Sequence, residues 1–141
     1  MKGLNLDHNN YAELLAQAKE ACSNAYAPYS GYKVGAAVLW TSGRITTGSN
    51  VENASFGLTI CAERNAIFQG TAKGERKISA LAVAVLTEEM PSPCGACRQV
   101  IREFCTDCDI FLINGCGEAK ETSLKKLLPD SFGPEFLDIN I

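Results

Sequence analysis

Apolar residues follow a helical period near the start of the chain and then change to strand-like runs. Between residues 11 and 25 they return every three or four positions, with charged side chains on the opposite face, which predicts a helix packed against a core. Residues 34–40 and 44–48 are short runs rich in apolar and β-branched side chains, separated by a Thr-Ser-Gly turn, and they predict a β-hairpin. The chain thus opens with one helix and two strands.

The middle of the chain alternates between helix and strand patterns. Residues 50–59 are small and polar without a clear period, which predicts a loop. A helix is expected from Cys61 to Gly70, because glycine readily adopts the left-handed conformation that ends helices. An apolar strand is expected over residues 78–86, followed by a second helix that starts at Cys94.

The end of the chain predicts a buried strand, an edge strand and a short helical turn. These are residues 110–113, residues 119–122, which can return antiparallel, and residues 123–128, which precede Pro129. Strands that alternate with helices form parallel pairs with helices packed on the sheet, and the opening hairpin makes the sheet mixed. We therefore expect a three-layer α/β/α fold with a five-stranded mixed sheet. The connections are short, so residues 1–141 are expected to form one domain.

Composition and charge exclude some classes of partner. Of the 141 residues, 46% are hydrophobic and 21% are charged, and 13 basic against 16 acidic side chains give a net charge of −3. An acidic chain is a poor match for a nucleic-acid partner, and the longest apolar run, residues 80–86, is too short to cross a membrane. Seven cysteines, an odd number, favour metal binding in the reducing cytoplasm over a set of disulfides.

Three cysteines and one glutamate make a candidate catalytic metal site. Cys61 begins the segment Cys-Ala-Glu-Arg, and Cys94 and Cys97 belong to a later Pro-Cys-Gly-Ala-Cys segment. Three thiolates can hold one tetrahedral zinc ion and leave its fourth position for water. Glu63 can exchange protons with that water without binding the metal, whereas the only histidine, His8, lies in the N-terminal segment. Glu63 is therefore the expected proton carrier.

The negative charge of such a site needs a positive charge nearby. Three thiolates around Zn²⁺ carry a formal charge of −1, which makes a bound water harder to ionise than neutral imidazole ligands do. Arg64 and Arg98 each stand next to these motifs, and either can donate hydrogen bonds to ligand sulfurs. The position of Arg64 directly after Glu63 favours Arg64.

Two other interpretations of the cysteines remain open. The four residues can be unrelated small core positions, since free cysteine is among the most buried residue types. Alternatively, Cys94 and Cys97 can join Cys105 and Cys108 in a closed structural zinc site, which would make the chain a zinc-stabilised binding module. The spacing between these two cysteine pairs is shorter than in common structural sites, and the closed site leaves Cys61 and Glu63 without a role. The sequence assigns no role to Cys22 or Cys116.

Several motifs together resemble the small, homotetrameric cytidine deaminases of the cytidine and deoxycytidylate deaminase superfamily. They are Asn-Val-Glu-Asn at residues 50–53, Cys-Ala-Glu-Arg at 61–64 and Pro-Cys-Gly-Ala-Cys-Arg-Gln at 93–99, and weaker likenesses at 25–30 and 127–129 extend them over most of the chain. The resemblance implies a five-stranded mixed sheet and zinc-dependent conversion of cytidine and 2'-deoxycytidine to uridine and 2'-deoxyuridine, with release of ammonia, in pyrimidine salvage. It also implies a cytoplasmic homotetramer with active sites at subunit interfaces.

The resemblance assigns roles residue by residue. It implies zinc ligands at Cys61, Cys94 and Cys97, a proton carrier at Glu63, ribose contacts at Asn50 and Glu52, and further substrate contacts at Tyr32, Ala62 and Phe132. Phe132 resembles a family aromatic that reaches the pocket of a neighbouring subunit, and Tyr32 stands beside the pyrimidine where the family usually has Phe. The added hydroxyl of Tyr32 must find a partner, and Phe56 replaces a frequent Tyr, which removes one hydrogen bond.

Two other deaminase functions compete with this one. Blasticidin S deaminase resembles the chain at both cysteine motifs, but the Asn-Val-Glu-Asn motif favours a nucleoside substrate. Editing of a polynucleotide is disfavoured by the acidic balance of the chain. The leading hypothesis is therefore deamination of a free nucleoside.

Overall fold

A computed structural model of the chain describes residues 9–137, with side chains described from Tyr11 onward. Its elements are α1 (Asn9–Ala21), β1 (Val34–Trp40), β2 (Ile45–Ser49), α2 (Ala62–Ala72), β3 (Ile78–Val85), α3 (Gly95–Phe104), β4 (Asp109–Ile113), β5 (Ala119–Ser123) and α4 (Leu124–Leu127). Short 3-10 helices occupy Cys22–Asn24, Phe56–Leu58 and Pro134–Leu137. His8 and the end of the chain after Leu137 lie outside the described residues.

The five strands form one mixed sheet in the order β2-β1-β3-β4-β5. β1 runs antiparallel to both β2 and β3, β3 and β4 run parallel, and β5 returns antiparallel to β4 at the edge. The connection between the two parallel strands contains α3, as parallel pairing requires a long crossover. The five-stranded mixed sheet expected from the sequence is confirmed.

Helices cover both faces of the sheet, which confirms the three-layer arrangement. One buried cluster lies between α1 and the sheet and includes Leu14, Ala18, Leu39, Ala82 and Phe111. The other lies on the side of α2 and α3 and includes Trp40, Ile67, Leu81, Val83 and Ile101. Because the inner strands carry apolar side chains toward both layers, their sequences are continuous apolar runs instead of alternating ones. Within residues 9–137, no helix is long and apolar enough to span a membrane.

Two helix ends differ from the sequence expectation. The first α-helix ends at Ala21, and a 3-10 turn continues to Asn24. The helix that was expected to stop at Gly70 continues to Ala72, and the left-handed conformation belongs to Gly74, whose φ is 93°. Gly70 instead serves packing, because a Cβ atom there would lie 2.1 Å from Cζ2 of Trp40. The periodic pattern hides this requirement, since Trp40 lies on a distant strand.

The contact between Gly70 and Trp40 makes Gly70→Ala a test of the fold. Alanine in an unhindered helix position is favoured over glycine by ~1 kcal/mol. Here the Trp40 indole cannot move freely, since its Nε1 donates to Thr46 Oγ1 at 2.8 Å. We expect Gly70→Ala to lower the free energy of unfolding by about 1–3 kcal/mol through overpacking, measured by urea denaturation. Gly57→Ala, where a Cβ meets nothing within 4 Å, is the matched control and should change the free energy by less than ~0.5 kcal/mol. A stabilised Gly70→Ala variant would contradict the packing argument.

Candidate metal and catalytic site

The three predicted cysteine ligands meet where two helices begin. Cys61 is the N-cap residue of α2, Cys94 is the N-cap residue of α3, and Cys97 lies in the first turn of α3. Their sulfur atoms all lie within 4.8 Å of one another, and the sulfurs of Cys61 and Cys94 are 3.8 Å apart. Free backbone N–H groups and the helix dipole favour negative charge at a helix N-terminus. The local structure therefore favours thiolates where the sulfurs converge.

The protonation of the cysteines follows from their proximity. A hydrogen bond from Cys97, assisted by Arg64, lowers the pKa of Cys61 to about 5. The same contact with Cys61, together with burial and the nearby Glu63 carboxylate, raises the pKa of Cys97. The two opposed shifts have one cause, because a single proton held between two sulfurs stabilises one thiolate at the expense of the other. A divalent cation can take the place of that proton and stabilise all of the thiolates.

Two arginines next to the ligands have different roles. Arg64 donates from Nη2 to the sulfur of Cys61 at 3.5 Å. Arg98 points elsewhere: its Nε donates to the carbonyl of Pro93 at 2.7 Å, and its two terminal nitrogens donate to Leu127 O at 2.6 Å and to Ser92 Oγ at 2.7 Å. The charge that faces the sulfurs is therefore that of Arg64, whereas Arg98 ties the loop before α3 to the end of α4.

Glu63 lies in the first turn of α2 with 4% of its surface exposed. Burial raises the pKa of its carboxyl, and the adjacent Cys61 sulfur raises it further, while hydrogen bonds and the charge of Arg64 oppose the rise. A carboxyl with a raised pKa can hold and release a proton near neutral pH. The structure thus places a buried carboxyl with a raised pKa beside the sulfur cluster, next to the Cys61 cap of α2.

Asn50 and Glu52 hold the segment before β1. Asn50 has 7% of its surface exposed; its Oδ1 accepts from the backbone N–H of Val34 at 2.9 Å, and its Nδ2 donates to the carbonyl of Tyr32 at 2.7 Å. The Oε1 of Glu52 accepts from the backbone N–H groups of Tyr29 at 2.9 Å and Ser30 at 3.1 Å. The Ser30 hydroxyl donates to Oε2 of Glu52 and, together with the backbone contacts, lowers the pKa of this carboxyl.

The remaining residues that are predicted to contact the substrate differ in burial. Ala62 is buried at the start of α2, whereas Tyr32 is 43% exposed. Burial raises the pKa of the Tyr32 phenol, the Glu63 carboxylate adds to that rise, and a hydrogen bond with Thr87 lowers it. Thr87 is thus a polar neighbour of the additional hydroxyl. Tyr32 also lines a cavity of about 750 Å³ with the loop of residues 86–92, which leads to Cys94.

The predicted aromatic residues outside the sulfur cluster are exposed. Phe132 is 55% exposed and stacks on Phe136 with ring centroids 5.4 Å apart, and its carbonyl accepts from Gln99 of α3 at 3.0 Å. Phe56 is 74% exposed and contacts the ring edge of Tyr29 at a centroid distance of 5.6 Å. These side chains leave apolar surface uncovered near the end of the chain and near the segment before β1.

The closed four-cysteine site is not formed. Among residues 9–137, the metal-binding cluster of three or more candidate ligands consists of Cys61, Cys94 and Cys97. Cys105 and Cys108 contact each other beyond the far end of α3, and the sulfur of Cys105 donates to Ile101 O at 3.5 Å. A cavity of about 800 Å³ at that far end is lined by Cys105 but not by the three clustered cysteines. This cavity is therefore separate from the candidate site.

Ser30 and Thr87 are the polar residues near the site that sequence reasoning missed. Ser30 contacts Glu52 through both its backbone N–H and its hydroxyl, and Thr87 contacts the Tyr32 phenol. Ser30 falls inside the motif at residues 25–30, which was the available signal. Thr87 follows a strand in a loop without a motif, so the sequence offered no signal for it.

Comparisons with known proteins point to one family. Residues 8–113 match the model described as the cytidine and deoxycytidylate deaminase zinc-binding region. A cytidine deaminase of Sporosarcina psychrophila is 48% identical over 89% of this chain and 93% of the relative, and one of Halalkalibacterium halodurans is 45% identical over 86% and 93%. The crystal structure of cytidine deaminase from Burkholderia pseudomallei superimposes with a TM-score of 0.82 at 46% identity, covering 86% of this chain and 98% of that one.

The residues present fit a zinc ion. The donor set is three thiol sulfurs within 4.8 Å of one another, which is soft-ligand chemistry that zinc prefers, and one charge-compensating arginine faces it. The buried Nε atom of Arg64 lacks a hydrogen-bond partner among the described residues, which is consistent with an arginine whose orientation is set by charge on the sulfurs. One zinc ion per chain is the cofactor.

Zinc content of two cysteine variants tests this ligand set. We expect Cys61→Ala to lose most of its bound zinc, because two remaining sulfurs cannot complete the site, and Cys105→Ala to retain one zinc per chain. Metal content is measured by atomic absorption on dialysed protein. The closed four-cysteine site predicts the opposite result: full zinc in Cys61→Ala and loss in Cys105→Ala.

Proposed function

The chain belongs to the family of cytidine and deoxycytidylate deaminases, and on this basis we propose that Cys61, Cys94 and Cys97 hold the zinc ion with which it deaminates cytidine. The reaction is hydrolytic: water adds at C4 of the cytosine ring, the C4 amino group leaves as ammonia, and uridine forms. The observation that carries this conclusion is the cluster of three cysteine sulfurs beside a buried glutamate. We propose that residues 1–141 make up one domain with this function.

Zinc, when bound, acts as a Lewis acid that lowers the pKa of water at its open position. The protein contributes the surrounding charges. Arg64 donates to the sulfur of Cys61 and so withdraws negative charge from it, which makes the zinc ion a stronger acid than three uncompensated thiolates would. The two helix N-termini at Cys61 and Cys94 act in the same direction.

We assign the proton transfers to Glu63. With its raised pKa and its burial beside the sulfurs, the carboxyl can take one proton from the attacking water and deliver it to N3 of the ring. It can then take the second proton of that water from the new C4 hydroxyl and deliver it to the amino group, which leaves as ammonia while the C4 carbonyl forms. Each proton taken is thus returned to the substrate, and Glu63 ends the cycle in its initial state. Burial keeps bulk water from exchanging these protons.

We assign substrate orientation to the segments before β1 and after β2 and to the start of α2. Asn50 and Glu52 bind the ribose hydroxyls, in cytidine and also in 2'-deoxycytidine, while Tyr32 and the backbone at Ala62 contact the pyrimidine. Support comes from the hydrogen bonds of Asn50 and Glu52 with residues 29–34, which join the two segments that carry the proposed contacts. No nucleic acid is required as a substrate, in keeping with the net charge of −3.

The assembly and cellular role that we propose are those of a cytoplasmic homotetramer in pyrimidine salvage. The exposed rings of Phe132 and Phe136 and the exposed Tyr29 and Phe56 pair offer apolar surface for subunit contacts. In this assembly, Phe132 completes the pocket of a neighbouring subunit. Seven cysteines, free among the described residues, are consistent with a reducing compartment.

Loss of the Glu63 carboxyl should abolish most of the turnover. We expect Glu63→Gln to reduce kcat with cytidine by about 10²- to 10⁴-fold while zinc content stays at one per chain, because the amide keeps the shape but cannot carry a proton. Uridine formation and ammonia release are measured together. Glu103→Gln, an exposed glutamate on α3, is the matched control and should retain full activity. Zinc-loaded protein that converts no cytidine, or that prefers blasticidin S or a single-stranded oligonucleotide, would refute the proposed substrate.

Mixing of two inactive variants tests the contribution of Phe132 to a neighbouring subunit. We expect Phe132→Ala to lose most activity by itself, and coexpression with Glu63→Gln to restore activity above that of either variant alone. A mixed oligomer contains sites with Glu63 from one chain and Phe132 from the next. Activity and sedimentation of the coexpressed protein are measured together. If Phe132 serves only its own chain, no mixed site holds both residues and activity is not restored.

A further inference from the structure

The hydroxyl of Ser30 connects the Glu52 carboxylate with the backbone of Tyr32. It donates a hydrogen bond to Oε2 of Glu52, and its oxygen accepts from the backbone N–H of Tyr32 at 3.0 Å. A serine hydroxyl has a single hydrogen, and its orientation is normally free. Here the N–H of Tyr32 occupies a lone pair of the oxygen, so the hydrogen is directed toward the carboxylate.

The hydrogen bonds of Glu52 determine how many acceptor positions of its carboxylate remain for a ligand. An ionised carboxylate offers about four acceptor positions. Among the described residues, the N–H groups of Tyr29 and Ser30 occupy two positions on Oε1, and the Ser30 hydroxyl occupies one on Oε2. One acceptor position on Oε2 is left, and its direction is determined by the Ser30 hydroxyl. A sugar hydroxyl is the group that would donate to it.

Asn50 provides the complementary group on the same segment. Its Nδ2 donates one hydrogen to Tyr32 O at 2.7 Å, and its Oδ1 accepts from Val34 N at 2.9 Å. A side-chain amide has two N–H hydrogens, so one is available for a ligand. The backbone of Tyr32 is therefore held from both sides, by Ser30 at its N–H and by Asn50 at its carbonyl.

The turn that carries Ser30 is itself fixed. Gly31 follows with a φ of 69°, which favours glycine, and its N–H donates to Ala27 O at 2.9 Å. The backbone N–H of Glu52 donates to Tyr26 O at 2.9 Å, so the turn and the Glu52 segment also pair through their main chains. The Ser30 hydroxyl is thus positioned by the backbone and not by a free rotamer.

We propose that Ser30 is a positioning residue for substrate binding: its hydroxyl orients the Glu52 carboxylate so that the remaining acceptor position receives a ribose hydroxyl. Ser30 does not touch the reacting atoms. Its effect passes through Glu52, and it therefore alters binding of the nucleoside more than the chemical step. This inference rests on the proposed nucleoside substrate and on the ribose contact assigned to Glu52.

Steady-state kinetics of four variants test the proposal: Ser30→Ala, Ser30→Thr, Glu52→Gln and the Ser30→Ala, Glu52→Gln double variant. We expect Ser30→Ala to raise the KM for cytidine by about 3- to 10-fold, the value of one hydrogen bond, with kcat and zinc content little changed. Ser30→Thr keeps the hydroxyl and should restore the KM. Because Ser30 acts through Glu52, adding Ser30→Ala to Glu52→Gln should raise the KM no further. Ser23→Ala, which removes an exposed hydroxyl that donates to Glu20 O, is the matched control.

Three results would overturn the role of Ser30. They are an unchanged KM in Ser30→Ala, independent and multiplicative effects of the two substitutions, or a joint loss of kcat and zinc content that indicates general damage to the fold. All three are recorded with a wild-type protein that deaminates cytidine. A wild-type protein that fails to do so overturns the proposed function itself, and the two failures are therefore distinguishable.

Discussion

The convergence of three cysteine sulfurs on one point is the constraint on which the structure depends. Thiolates repel one another, so three sulfurs within 4.8 Å can all be ionised only with positive charge around them. The fold supplies this charge by bringing the N-termini of α2 and α3 together at the same end of the sheet and by directing Arg64 to the sulfur of Cys61. Close packing keeps α2 in place: a Cβ at Gly48 of β2 would lie 2.3 Å from the backbone nitrogen of Ala66. The glycine at position 48 thus allows α2 to pack closely on β2, and this packing positions the helix that begins at the Cys61 cap.

Much of this arrangement could be predicted, because the relevant signals are local in sequence. Strand and helix periods gave the order of elements, and the cysteine motifs placed Cys61 and Cys94 at helix starts, where the structure has them as N-cap residues. The errors concern contacts between distant segments. Gly70 resembles a helix stop in the sequence. The residues around it in the chain do not reveal that it packs against Trp40, which lies on another element. A glycine has several structural uses, and only the tertiary contact distinguishes them.

The same limit applies to the site. Arg64 and Arg98 both lie close to metal ligands in the sequence. The sequence does not reveal that Arg98 donates its hydrogen bonds to the carbonyls of Pro93 and Leu127 instead of to a ligand sulfur. For Asn50, the motif predicted a contact with sugar, but its amide also joins Tyr32 to Val34 at the entrance to β1. A residue that holds the backbone and is also proposed to bind a ligand gives one sequence signal for two functions. If the proposed ribose contact holds, substitutions at Asn50 combine a loss of local structure with a loss of binding.

Glu52 and Glu63 show how the surroundings of a glutamate determine the pKa of its carboxyl and so its chemical role. Glu52 accepts hydrogen bonds from Ser30 and Tyr29, and these lower the pKa of its carboxyl, so it stays ionised and serves as an acceptor. Glu63 is buried beside sulfur, and burial raises the pKa of its carboxyl, so it can hold a proton. The side chains are chemically identical, and exchange of their surroundings would exchange their roles. In the proposed mechanism, the loop before α2 thus supplies the fixed acceptor that orients a nucleoside, whereas the first turn of α2 supplies the mobile proton. The separation follows from the position of each glutamate relative to the Cys61 cap, because Glu52 before the cap remains near solvent and backbone donors, whereas Glu63 just beyond it is buried.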